Sequence, residues 1–327
     1  MLINQPEKNC PLCRQQATFL FLRDYTDQGK NFSLYECDVC GGQFWQPYKN
    51  PGADWYINQD KFNVKDGLKS RSIHAYHKYF IKSQAENLKN AYALDLGCGT
   101  GEFLAELEKR GANVYGTDID SSAIEIARAS HNLKNITALP INLFFQSEKL
   151  PPLDFVTVFE VFEHVDDAWS VLSESKKFLK SGGKLVMSVP TRERIFANVA
   201  DWDYPYHHLS RWDEKAIRYH LTLAGYENVQ VDYINKFHQL YELFLEIIAA
   251  KLKFNKAAGM KKIANQSGEA AARAKVSLKI IIIRIIYKTG RFLGVVFTPY
   301  FLAAIFFPIA LIFYPRSGIM YIVAVKK

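Results

Sequence analysis

Apolar and polar positions follow two periods along this chain, and between positions 91 and 235 the two take turns. Ala93, Leu94 and Leu96 make a short apolar run that predicts a buried strand, and Phe103-Leu-Ala-Glu-Leu-Glu-Lys109 continues with helical spacing. The pair recurs, with Asn113-Val-Tyr-Gly-Thr117 predicting a strand and Ile119-Asp120-Ser-Ser-Ala-Ile-Glu-Ile-Ala127 a helix. A strand over 154–159 precedes a helix over 168–180, for which Asp166 and Asp167 are N-cap candidates. Gly182-Gly183 turns the chain into a strand over 184–189, stopped by Pro190. A helix over 213–225 ending in glycine, a strand over 228–234 and a last strand over 318–325 complete the series. Strands alternating with helices in this way predict an α/β fold on a largely parallel sheet.

The loop after the first strand carries the most specific chemistry. Gly97, Gly99 and Gly101 allow a tight turn and let a ligand lie against bare backbone. The spacing is G-x-G-x-G followed by Glu102, so the third glycine of a dinucleotide fingerprint is out of place. Asp95, at the strand end, would repel a pyrophosphate but pair with an ammonium group. Asp118, at the tip of the second strand, stands where an acid accepts hydrogen bonds from ribose hydroxyls.

On these residues, Asp95-Leu-Gly-Cys-Gly-Thr-Gly101 and Gly116-Thr-Asp118-Ile-Asp120, the chain resembles the class I S-adenosylmethionine-dependent methyltransferases. The resemblance implies a Rossmann-like, seven-stranded sheet that binds S-adenosyl-L-methionine through Asp95, Gly97, Cys98, Gly99, Gly101, Asp118, Ile119 and Glu160. Cys98, between two of the glycines, reads as a small side chain in a crowded turn rather than a nucleophile. An acid that often contacts adenine is missing near 136–139, which leaves that recognition to backbone and apolar contacts.

Four of the five cysteines form two C-x-x-C pairs, Cys10/Cys13 and Cys37/Cys40, with short strands expected between them at 17–22 and 31–35. The spacing matches a zinc ribbon in which four thiolates close a tetrahedral, structural Zn2+ site. The amino-terminal residues lack the long apolar run of a secretory signal, so a reducing cytoplasm is expected, which disfavours disulfides. The expected organisation is a ribbon over 1–50, a helical lead-in over 51–90 that includes Arg71, His74, Tyr76 and His77, a methyltransferase domain over 91–235 plus 318–327, and an insertion over 236–317.

Charge singles out that insertion. Residues 251–291 hold eleven Lys or Arg and one acid, a net +10 against +8 for the 327-residue chain, so the remainder is close to neutral. Twenty uncharged residues follow at 295–314, which a nucleic-acid surface does not explain. Cations beside apolar sequence are what an anionic membrane attracts, at about 1 kcal/mol each. Pro299 and Pro308 favour a broken path over a straight span, and both ends return to one side if 318–325 completes the sheet. The expectation is a cytoplasmic protein held at the inner face of a membrane.

Two clusters are candidates for work on an acceptor. Glu160, Glu163 and His164 form E-x-x-E-H, and in the ubiquinone-pathway O-methyltransferases, which this segment resembles, that motif lies beside the acceptor and can bind a divalent ion. The other is Asp201-Trp-Asp-Tyr-Pro-Tyr-His207-His208-Leu-Ser-Arg211-Trp212, in which one of His207 and His208 is expected to act as general base and the other to hold structure. A ribbon ahead of this domain also resembles sugar C-methyltransferases, although their large carboxy-terminal domain is replaced here by the apolar insertion. The leading expectation is O-methylation of a small or lipid-linked acceptor such as a lipid-linked sugar. A quinone or other prenyl-lipid acceptor, sugar C-methylation, and a membrane-tethered binding module without catalysis are the alternatives.

Overall fold

The computed structural model describes residues 4–27, 29–57, 73–193, 203–234, 237, 302–308, 312 and 318–327. Arg71, Asp201 and nearly all of the basic, apolar insertion lie outside the described residues. Strands β1 (Asn4–Asn9), β2 (Gln16–Asp27), β3 (Lys30–Cys37) and β4 (Gln43–Gln46) pair in antiparallel succession. β2 and β3 run longer than the apolar pattern alone predicts because they pair as far as Asp27 and Lys30, beside a tip where Gly29 takes a positive φ of 78°. Helices α1 (Ala53–Ile57) and α2 (Ala75–Ser83) follow.

From there the expected alternation unfolds: β5 (Tyr92–Leu96), α3 (Glu102–Lys109), β6 (Asn113–Thr117), α4 (Ser121–His131), a two-residue β7 (Ile136–Thr137), α5 (Ile141–Ser147), β8 (Leu153–Phe159), α6 (Ala168–Phe178) and β9 (Leu179–Pro190). A short β10 (Ser210–Arg211), α7 (Glu214–Leu223), β11 (Tyr226–Ile234) and β12 (Ile319–Lys326) complete the elements. Helix starts follow their caps. Asp120 accepts from Ser122 N at 2.9 Å, Asp167 from Ser170 N at 3.0 Å and Asp213 from Ala216 N at 2.8 Å. Such a cap contributes about 1 kcal/mol by satisfying a donor that the helix leaves open.

The seven-stranded sheet has the order β11-β12-β9-β8-β5-β6-β7. β12 runs antiparallel to both neighbours, and β5, β6, β7, β8 and β9 are parallel. Leu94, Leu96, Val156, Val158, Leu185 and Met187, from the three central strands, are fully buried. Burying each stabilises the fold by about 1.5–3 kcal/mol, so these strands anchor whatever their tips carry. The chain passes from β5 outward to β7, then returns to the other side of β5 as β8. The crevice at the carboxyl ends of β5 and β8 is therefore the switch point at which open α/β sheets bind ligands.

β10, contributed by the segment after β9, pairs antiparallel with β4, Ser210 opposite Phe44 and Arg211 opposite Gln43. The amino-terminal sheet thus has five strands, β1-β2-β3-β4-β10, and its last strand comes from beyond position 50. Residues 1–234 with 316–327 form one compact unit and residues 235–315 another. In the second, residues 302–308 are helical and Phe237 meets Phe307 edge-on at 5.5 Å. Among the described residues no helix is long and apolar enough to cross a membrane.

Candidate active site

The donor side of the crevice is built from the tips of β5 and β6. Gly97 N and Cys98 N both donate to Thr117 O, at 2.8 and 3.0 Å, which ties the glycine loop to the end of β6. Gly99 N donates to Asp118 Oδ2 at 2.8 Å, and Asp120 N to its Oδ1 at 2.9 Å. The three loop glycines have positive φ but serve different ends. A Cβ on Gly97 would sit 2.3 Å from Val161 Cγ2, and one on Gly101 2.6 Å from Leu133 Cδ1. At Gly99 a Cβ would meet nothing within 4 Å, so this is the bare stretch of backbone that a ligand can approach.

Asp95 is 4 % exposed and takes a 2.6 Å hydrogen bond from Thr157 Oγ1. Burial pushes its carboxyl up to about 7, partly offset by that hydrogen bond, and Asp118 adds to the rise. Asp118 is also raised by burial, against backbone hydrogen bonds from Asp120 and Gly99 that pull it down. Burial raises both carboxyls, so each is ready to be drawn back to its ionised form by a cationic, hydroxyl-bearing ligand. The residues therefore fit the sulfonium donor, with Asp95 for an ammonium and Asp118 for ribose hydroxyls. Ile119 lies next to Asp118 on the same turn. Cys98 is buried, its Sγ 2.9 Å from the place a Gly116 Cβ would take, and its thiol is pushed well up by burial and by Asp118. It packs the turn and resists ionising.

The acceptor side follows β8. Glu160, at a positive φ of 53°, hydrogen-bonds through Oε1 to Ser188 Oγ at 2.9 Å. Glu163 and His164 take other partners. His164, His207 and His208 bring one ring nitrogen each within 4.8 Å of one another. Glu163 is 2 % exposed, and its Oε1 lies 3.7 Å from His164 Nε2 and 3.9 Å from His208 Nε2. The two halves of the expected chemistry thus meet, with His164 and Glu163 joining the adjacent pair from the loop after β9 and Glu160 turned to Ser188.

That meeting is arranged by Asp203 and Arg211 of the same loop and by residues between 43 and 56 that carry no signal in the sequence. Asp203 Oδ1 holds His208 Nδ1 at 3.3 Å, and Arg211 Nε lies 3.4 Å from Asp203 Oδ2. Arg211 Nη1 donates to Gln43 Oε1 at 2.6 Å, Trp45 N to Leu209 O at 3.0 Å and Trp45 Nε1 to Asp203 O at 2.8 Å. Asn50 Nδ2 donates to His164 O at 2.9 Å and to Tyr56 OH at 3.1 Å. The sequence signal for Asp203 was an acid five residues ahead of His208; Asn50 and Trp45 gave none. His77 and Tyr76, from the lead-in, stack on Phe103 and Phe159, and burial drives His77 down to about 3, so it stays neutral.

Behind this wall, Cys10, Cys13, Cys37 and Cys40 are buried and form one cluster, with Cys10 Sγ and Cys40 Sγ 4.0 Å apart. No disulfide joins them. Arg14 N to Cys10 O and Gly41 N to Cys37 O, at 2.8 and 2.9 Å, close a tight turn at each pair. Hydrogen bonds from Cys10 and Cys13 hold the Cys37 thiol far below its usual range, while the same neighbours push Cys40 up. Four sulfurs crowded this way fit a tetrahedral thiolate-bound Zn2+, with no ligand position left open.

Residues 69–231 match the model of a family described as "Methyltransferase domain". With the strand order and the Asp95–Asp118 loop, that match decides the question. The chain carries a methyltransferase domain over residues 69–231. Its sheet is the seven-stranded class I form, with the antiparallel strand inserted next to last. The ubiquinone biosynthesis O-methyltransferase of Idiomarina loihiensis is 32 % identical over 126 residues, covering 38 % of this chain and 50 % of that one. The protein of the same name from Hydrogenovibrio crunogenus is 34 % identical over 117 residues, covering 35 % and 48 %. The methyltransferase chain thus spans about half the length of these curated relatives. A SAM-dependent methyltransferase from Archaeoglobus fulgidus superposes with a TM-score of 0.47 and 18 % identity, over 76 % of this chain and 92 % of that one.

Proposed function

We propose that this protein transfers a methyl group from S-adenosylmethionine to a hydroxyl oxygen of a small acceptor. The observation that carries the reading is that two built clusters follow the carboxyl ends of neighbouring strands: the Asp95–Gly99–Asp118 loop after β5 and β6, and the Glu163–histidine cluster after β8 and β9. When bound, the donor supplies an electrophilic methyl carbon on a sulfonium. The chain has to orient the acceptor and stabilise its oxygen as the proton leaves, since hydroxyls are weak acids. Asp203 at His208 Nδ1 and Glu163 beside its Nε2 orient the ring, which suits a general-base role for the cluster.

The names of the relatives favour a phenolic, quinol-type acceptor over the lipid-linked sugar expected first. Membrane attachment of that acceptor, and of the protein through residues 236–317, rests on the cations and apolar run of that segment. The sugar reading retains one support, the four-cysteine ribbon ahead of the domain. Incubation with methyl-labelled donor and total lipid extract, then mass analysis, tests all of these. A labelled, oxygen-linked methyl on a quinol-type lipid is the expected result, and label on a sugar moves the reading to the second acceptor. S-adenosylhomocysteine formation that no extract stimulates would overturn methyl transfer in favour of a binding module. Recovery of the whole protein in the detergent-free soluble fraction would remove the membrane attachment.

A further inference from the structure

We infer that Tyr204 and Tyr206 are positioning residues for the histidine pair that follows them: both dock on one face of the amino-terminal sheet and so fix the turn that carries His207 and His208. The inference rests on the reading of that pair as acceptor-side groups.

The face comes first. Side chains alternate along strands, so Arg23 and Tyr25 of β2, Phe32 and Leu34 of β3 and Trp45 of β4 share one side of the sheet. Tyr25 stands opposite Phe32, and Leu34 opposite both Arg23 and Trp45. Phe32, Leu34 and Trp45 form a buried cluster of their own, distinct from the one that contains the four cysteines. Tyr204 and Tyr206 pack against it. The Tyr204 ring lies 4.2 Å from that of Tyr25 and 5.6 Å from that of Trp45, and Tyr206 meets Phe32 edge-on at 5.2 Å. Each hydroxyl accepts from a cation at the rim, Tyr204 from Arg23 Nη1 at 3.3 Å and Tyr206 from Lys30 Nζ at 3.2 Å. Lys30 also stands 5.1 Å over the Tyr206 ring.

The histidines belong to the turn these rings pin down. His208 N donates to Tyr204 O at 3.2 Å, which closes it. Its other side meets the segment after β8, where His164 Nδ1 faces His207 O and Leu209 N donates to Glu163 O at 2.9 Å. His207 and His208 therefore stand between an aromatic dock and the Glu163–His164 turn. Misplacing a reacting group by about 1 Å costs on the order of a hundred-fold in rate, so the dock bears on turnover without touching the acceptor.

The test reads the histidine ring signals of the full-length protein by NMR, without acceptor. His207→Gln and His208→Gln assign two signals by their loss, and His77→Gln and His131→Gln assign reference signals from α2 and α4. Tyr204→Leu and Tyr206→Leu should move the His207 and His208 signals and leave the references in place. Their affinity for S-adenosylhomocysteine in calorimetry should stay within about two-fold, as expected for a distant site. Tyr204→Phe and Tyr206→Phe keep the packed rings and should bring the signals back near their original positions. Turnover with total lipid extract should fall by about ten-fold or more in the leucine variants and recover in the phenylalanine ones. Unmoved His207 and His208 signals in the leucine variants overturn the dock, and so does movement of every signal together with lost donor affinity, which marks general destabilisation. Moved signals with unchanged turnover overturn the positioning role. If no extract supports turnover, the methyl-transfer reading falls, and the ring signals alone decide whether the tyrosines hold the pair.

Discussion

The cysteine cluster and the histidine cluster stand at opposite ends of the same five-stranded sheet and are assembled in different ways. The four cysteines come from two turns, each closed by its own backbone hydrogen bond, and all are buried. The histidines come from two segments 43 residues apart, after β8 and after β9, and only His208 of the three is buried. A cluster built from local turns is specified by its spacing alone. One built across the fold depends on everything that fixes its two halves, here β10 on β4 and Asn50 on His164 O.

That dependence predicts asymmetric damage, and the largest effect should come from the cysteines. Cys37→Ser or prolonged chelation should unfold the ribbon, since a structural zinc contributes about 10 kcal/mol or more. With it should go the placement of His207 and His208, so turnover is expected to vanish while donor affinity, measured by calorimetry, changes by less than about ten-fold. Equal loss of both would show that the damage spreads to the donor half and is not confined to the sheet the two clusters share. His208→Gln should lower turnover by about a hundred-fold or more, the usual scale for an acid–base group, at nearly unchanged melting temperature.

The donor half supplies a pH test that leaves both clusters alone. Asp95 has a folded value near 7 against an unfolded value of about 3.9. In the donor-free protein its contribution to stability is therefore greatest below about pH 4 and is lost as pH rises toward 7. An ammonium ligand needs the ionised form, so donor affinity should rise nearly ten-fold per pH unit below 7 and level off above it. Asp95→Asn should flatten that profile in calorimetry.

Much of this was legible in the sequence. The βα alternation, the Asp caps and the G-x-G-x-G loop are local patterns, and they gave the sheet, its helices and the donor crevice. The cysteine pairs were equally local. His164 was grouped with Glu160 because E-x-x-E-H puts them four residues apart; the Glu160 carboxylate accepts from Ser188 Oγ, while His164 lies beside Glu163. His207 and His208 were singled out as unusual, but it takes long-range hydrogen bonds, Leu209 N to Glu163 O at 2.9 Å beside the pairing of β10 with β4, to set them next to His164. Such pairings leave no period in the chain. Residues 236–317 had the clearest composition of all, and most of them lie outside the described residues.

Smaller effects refine the picture. Arg192 bridges Glu36 at 2.9 Å and Asp213 at 2.5 Å and donates to Gly41 O, joining β3 and the second cysteine turn to the start of α7. Arg192→Ala should destabilise the fold by about 2 kcal/mol in chemical denaturation, because charged, partly buried hydrogen bonds are lost together. Arg14 pairs with Asp167 at 2.8 Å but is half exposed, so Arg14→Ala should cost under about 1 kcal/mol.

The strand that β10 lends to β4 also constrains how such a protein can be shortened or recombined. Deleting the first fifty residues would strip an edge from Ser210–Arg211 and the indole of Trp45 from Asp203, so the truncated enzyme would lose the frame of its own reaction chamber. The amino-terminal hairpins are then no detachable accessory, and lineages that keep the histidine pair should have kept the hairpins with it.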